Sequence, residues 1–146
     1  MARKKLFMDG EIFAEYAEKI RKFGSLEYLK ETTEEALVKS NEYVSELLHR
    51  DMKKHNQTGK TEASISDDSK VSWSGTIASI KAGFKISEGG LASIFLMYGT
   101  QVNGTPRTKP DQKLYNDVFG AASSKKRSEI QKEVLEKALR KAMEGK

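Results

Sequence analysis

The sequence predicts an α+β chain, with a small antiparallel sheet of three to four strands packed against a long N-terminal helix and a C-terminal helix. Three observations carry that expectation. Apolar residues recur every three or four positions up to about residue 55, at every second position from Thr61, and at helical spacing again after Ser128. Turn-forming residues mark the changes of period. Both prolines, Pro106 and Pro110, fall between the last apolar run and the closing helices. At 146 residues the chain suits one domain, 1–146, with one core.

Asp9 is placed to cap a first helix over about 10–22, with Ile12, Phe13, Tyr16, Ala17 and Ile20 at helical spacing and Gly24 as the stop. Ser25 caps a second helix over about 26–55. Its apolar face comprises Leu26, Leu29, Ala36, Leu37, Ser40, Tyr43, Val44, Leu47 and Leu48, and His55, Asn56 and Thr58-Gly59 end it. Strands are expected over about 61–98. Ala63 and Ile65, Val71 and Trp73, then Ala78, Ile80, Ala82, Phe84 and Ile86 alternate with polar residues, and Asp67-Asp68-Ser69 and Ser74-Gly75 supply hairpin turns. Leu91 to Tyr98 is short enough to be strand or helix, and a fourth strand is favoured. Prolines at 106 and 110 remove backbone donors and hold 99–110 as an extended arm. The C-terminus, 111–144, is helical: Asp111 to Phe119 is closed by Gly120, and Ser128-Glu129-Ile130-Gln131 resembles a capping box. It opens a stripe of Ile130, Val134, Leu135, Ala138, Leu139, Ala142 and Met143.

Charge is local. The net +5 comes from residues 107–146, which hold eleven Lys and Arg against six Asp and Glu, while residues 1–106 balance at fifteen of each. Lys125, Lys126 and Arg127 form the one tight basic cluster, a candidate contact for phosphate or an acidic partner whose ordinary reading is a solvated helix start. The absence of cysteine excludes disulfides and thiolate metal sites. Only Leu6, Phe7 and Met8 separate the basic start from Asp9, short of the roughly 7 to 15 apolar residues of a signal peptide. No run approaches the roughly 20 apolar residues of a membrane helix, so a cytosolic protein without membrane partners is expected.

Sequence patterns for catalysis are nearly empty. His49 and His55 are six apart and point to different sides of a helix, which argues against a paired metal site. Gly89-Gly90 lacks the spacing of a dinucleotide loop and the Lys-Ser/Thr ending of a phosphate loop. No serine stands in a recognised nucleophile motif. Asp67 and Asp68 suit a turn better than acid–base work. No enzyme, cofactor or metal is expected.

Two segments carry a resemblance. QTGKTEASIS (Gln57 to Ser66) follows the long helix, and IFLMYGT (Ile94 to Thr100) precedes the proline segment. In this order and spacing, over roughly 10–140, the chain resembles the tail-completion, or head–tail joining (neck), family of long-tailed bacteriophages, with its "TG...L..SI" and "Y..Y.E.GT" segments. Thr58-Gly59, Ser64-Ile65 and Tyr98-Gly99-Thr100 fit. Thr61 or Ala63 stands where the family has Leu, Met97 replaces the acidic residue, and Tyr98 takes the place of the final aromatic. The resemblance implies a structural virion subunit, made in the bacterial host cytoplasm, that forms a ring of six at the tail end facing the head. It implies contact with connector and tail proteins, nonspecific contact with DNA on its path, and no catalysis or cofactor. Tyr98, Gly99, Thr100, Pro106, Arg107 and Pro110 are the candidate subunit-interface arm. The alternative is a nucleic-acid-binding module using the basic C-terminal segment, against which stands the lack of zinc-ligand, RNA-binding-strand or helix-turn-helix signatures.

Overall fold

The computed structural model describes residues 10–55, 57–67 and 69–144. Asp9, Asn56 and Asp68, expected at a cap, a helix end and a turn, lie outside them, as do the side chains of Ile12, Phe13 and Tyr16. The elements in order are α1 (Gly10–Phe23), α2 (Leu26–Met52), a 3₁₀ turn (Lys53–His55), α3 (Lys60–Ala63), β1 (Val71–Ser74), β2 (Ile77–Ile80), a second 3₁₀ turn (Ile86–Glu88), α4 (Leu91–Tyr98), β3 (Thr100–Val102), β4 (Thr105–Thr108), α5 (Gln112–Phe119) and α6 (Ala121–Glu144). The fold is α+β. Among the described residues no helix is long and apolar enough to cross a membrane.

Helix α2 is the spine. The Ser25 hydroxyl accepts from the Tyr28 amide at 3.3 Å and satisfies one of the donors left open at the helix start. Along its buried stripe the residue types change. Thr32, Ala36 and Ser40 are small and let α6 approach, where Val134, Ala138 and Ala142 are buried and the Tyr28 hydroxyl donates to the Ala138 carbonyl at 2.8 Å. The hydroxyls of Thr32 and Ser40 bond back to carbonyls one turn earlier, so burying them leaves no polar group unpaired. Val44, Leu48 and Met52 then form the main core with Ile65, Met97 and Leu114, and Tyr43, Phe84, Leu96, Tyr115 and Val118 pack around them. Leu26, at 84% exposure, and Leu29, Leu135 and Leu139 are exposed, contrary to the stripes expected for them.

Two separate two-stranded ribbons replace the single sheet of three to four strands. The first, β1–β2, pairs Val71 with Ile80 and Ser74 with Ile77 around Gly75-Thr76. It rests on α2, where the Trp73 indole donates to Glu34 at 2.7 Å. Ala63 ends the single turn of α3 instead of sitting in a strand. Ile65 meets Phe84 in an isolated bridge, held by Ser66 N to Gly83 O and Lys85 N to Ser64 O, both 2.7 Å. Ile86 belongs to a 3₁₀ turn.

The run 91–98 is a helix, not the fourth strand. Ser93 and Met97 face inward four residues apart, while Leu91, Ile94, Phe95 and Tyr98 face outward. A strand would have alternated its faces every residue; the core takes only a helical stripe of this run. The expected capping box at Ser128 is also displaced, because α6 starts directly after Gly120 and runs through Ser128 without a break.

Gly99 closes α4 and opens β3 at φ +73°, and a Cβ there would lie 2.6 Å from the Thr108 carbonyl and 3.0 Å from the Pro110 ring. Gly99→Ala is therefore expected to cost about 2 to 3 kcal/mol, from backbone strain plus contact. Gly104→Ala, at φ +77° but with open space around it, should cost about 1 kcal/mol. Urea melts of the two variants check this, and equal losses would show that the close approach at Gly99 is relaxed without cost.

Candidate functional site

The segment expected as an extended arm is a β-hairpin. β3 and β4 pair through Val102 with Thr105 and Gln101 with Pro106, then shift register so that Thr100 faces Thr108. Arg107 is left without an opposite residue. Such a bulge bends the strand and re-aims its side chain. The loop is Asn103-Gly104, both at positive φ (52° and 77°), the two-residue turn whose twist matches paired strands. Every residue from Gln101 to Pro110 is exposed. Arg107 and Lys109 have no carboxylate partner among the described residues.

Beside the hairpin lies an apolar surface. Leu91, Ile94, Phe95 and Tyr98 of α4 are 53%, 40%, 49% and 61% exposed, and Phe119 of α5 is 58% exposed. The rings of Tyr98, Tyr115 and Phe119 form a chain with centroids 5.6 and 5.1 Å apart. Of the candidate arm residues, Tyr98 thus belongs to this aromatic row, Gly99 and Pro110 close the hairpin base, and Thr100, Pro106 and Arg107 lie in its strands. Leu91, Ile94 and Phe95 of α4, with Phe119, carried no sequence signal beyond their place in apolar runs. The signal was there: a run apolar on every side holds more apolar surface than one buried stripe can use.

Asp111 fixes this surface to the core. Its carboxylate accepts from the amides of Lys113 and Leu114 at 3.1 Å, capping α5, and lies 2.6 Å from His55 Nε2 and 2.8 Å from Lys54 Nζ at the end of α2. Its own amide donates to the Leu96 carbonyl at 2.7 Å. Partial burial works to raise its pKa, but the bonds from His55, Lys54 and the Leu114 amide outweigh this and hold the carboxyl well below the usual range. A second tie is Lys113, which bonds buried Asp51 at 2.6 Å and Asp117 at 3.0 Å. The Asp51 carboxyl is held below its usual range: burial opposes its charge, and bonds from Asp117 and Lys113 overcome that. Asp117 is pushed up by burial and by the facing Asp51.

On the other side of α2 lies an open cleft of about 270 Å³ lined by Val38, Asn41, Glu42, Glu46, His49 and Asp67 among others. His49 Nε2 lies 3.0 Å from Asp67 and its Nδ1 3.2 Å from Glu62, tying α2 to α3 and to the loop before β1. Burial opposes the charge on His49, yet Asp67 and Glu62 raise its pKa. The Ser45 hydroxyl bonds Asp67 and not the imidazole, so these three side chains brace a loop and make no serine–histidine relay. Among the described residues no group of three His, Asp or Glu side chains converges as a metal site.

The basic cluster is divided. Lys125 and Lys126 are exposed in the body of α6, and Lys126 lies 3.8 Å from Glu129. Arg127 turns back onto the α5–α6 corner, donating to the Ser123 and Val118 carbonyls at 3.4 Å.

Asp111→Ala is expected to cost about 1 to 2 kcal/mol through loss of the cap. Folding lowers this carboxyl's pKa, so its contribution is complete above about pH 4 and is lost as pH falls through the folded value. Below pH 4 the stability of the native protein should therefore fall more steeply than that of the variant; parallel urea-melt profiles would contradict this. Replacing Lys125, Lys126 and Arg127 by Gln should leave DNA affinity weak at every salt concentration and lower stability by about 1 kcal/mol, from Arg127 alone. Tight binding by the native protein, lost in the triple variant with a salt slope reduced by about 2 to 3, would establish the cluster as a phosphate contact.

No protein-family model, curated protein or solved structure matches the chain.

Proposed function

We propose that the chain is a structural subunit of the head–tail junction or tail end of a long-tailed bacteriophage virion, closing into a ring that joins tail to head. The observation that carries the reading is the apolar outer face of α4 running into an exposed hairpin. Contiguous exposed apolar surface of this kind marks an interaction site. The sequence order supports it as well: Thr58-Gly59 and Ser64-Ile65 precede the first ribbon, and Tyr98-Gly99-Thr100 opens the hairpin. The partners on this reading are further copies of the chain, six to a ring, with the connector and tail proteins above and below. The work of such a subunit is positional and uses no cofactor.

Light scattering and negative-stain electron microscopy of the concentrated native protein should show closed rings, because a head-to-tail contact that closes gives a ring and one that does not gives a filament. Phe95→Asp, on the exposed face, should reduce the rings to monomers with an unchanged circular dichroism spectrum. A native protein that stays monomeric at millimolar concentration would overturn the reading.

A further inference from the structure

The hairpin and the cleft on α2 are both unpartnered in one copy, and they are complementary. Arg107 and Lys109 are the only charged residues of the hairpin segment, both exposed and without ion pairs among the described residues. Glu42 and Glu46 stand on the cleft side of α2, likewise exposed and, among the described residues, outside any ion pair. Two carboxylates four apart on a helix repel each other, a cost that an approaching pair of cations reverses. The spacings agree: four helical residues rise about 6 Å, and two residues of extended chain span about 6.6 Å. Pro110 keeps Lys109 extended. The apolar parts match too, with Val102 half-exposed on the hairpin and Val38 in the cleft wall. The hairpin base is fixed near the C-terminal end of α2 through Asp111, whereas the cleft lies along the middle of that helix beside the loop before β1. Each copy thus carries a donor element and a separate receiving surface, the arrangement of a head-to-tail contact.

We propose that the β3–β4 hairpin of one copy docks in the cleft of the next, with Arg107 and Lys109 against Glu42 and Glu46. This rests on the self-assembly reading and names the receiving surface for its arm. The cleft's remaining titratable groups, Asp67 and His49, are engaged with each other.

Charge reversal tests it. Arg107→Glu with Lys109→Glu, and separately Glu42→Lys with Glu46→Lys, should each weaken self-association at least tenfold in sedimentation while leaving the melting curve close to native, since all four side chains are exposed. The milder Arg107→Gln with Lys109→Gln should weaken it to a smaller degree. Mixed one to one, the two reversed proteins should recover native-size particles, because every hairpin then meets a cleft of opposite charge in an alternating ring. Native particles insensitive to either reversal, or reversed proteins that fail to recover on mixing, would overturn this contact and leave the ring reading standing. A native protein that never associates would remove the ring reading, and this contact with it.

Discussion

The Asp111 carboxylate is the point on which the architecture of the candidate surface depends. Three elements meet at it: the 3₁₀ turn after α2 through Lys54 and His55, the end of α4 through the Leu96 carbonyl, and the start of α5 through the Lys113 and Leu114 amides. Burying a carboxylate is costly unless its bonds compensate, and here the Lys54 ammonium, the His55 imidazole and two amides do so. Leu114, capped by this residue, is fully buried in the main core, so the polar junction and the apolar core hold the same turn of helix from two sides.

That junction explains how a two-stranded hairpin keeps a defined direction. Hairpins of this size are marginal by themselves in water. This one is clamped at its base, where Gly99 allows the Thr108 carbonyl and Pro110 ring to come close, and where Asp111 follows immediately. Magnitudes decide what the adjoining apolar face achieves. Five large side chains, each with about half its surface still exposed, would gain about 1 kcal/mol apiece on burial, about 5 in all. Association costs about 4 to 15 kcal/mol in lost freedom. The apolar face alone would therefore give weak association at most, so the proposed assembly requires a second, directional contact such as the hairpin's.

Helices were legible where one face was apolar and the other charged. α1 and α2 start where Gly10 and Ser25 suggested, and their ends fall within a residue or a turn of expectation. The β1–β2 ribbon was legible from its alternation. Leu91 to Tyr98 was not, because outward residues as apolar as the inward ones erase the helical period. The proline segment misled for a different reason. Pro106 suggested a chain without a ladder, yet Asn103-Gly104 carried the stronger local instruction, since both positions accept positive φ and such a pair closes a two-residue hairpin. Ser128 resembled a cap only because Ala121 to Arg127 has no apolar period of its own; its helicity follows from packing against α5 through Ser123 and Arg127. Most of the candidate arm was therefore visible as residues, while its hairpin form and its tie to His55 required the tertiary structure, because 56 positions separate His55 from Asp111.

Hydrogen exchange at the hairpin amides tests the central claim most directly, because assembly should bury a ribbon that stands clear of the single chain. Between Gln101 and Thr108, exchange should be fast in dilute protein and slow by at least tenfold in assembled particles, with the α2 core amides unchanged. Assembled particles whose hairpin exchanges as fast as that of the dilute chain would contradict the account.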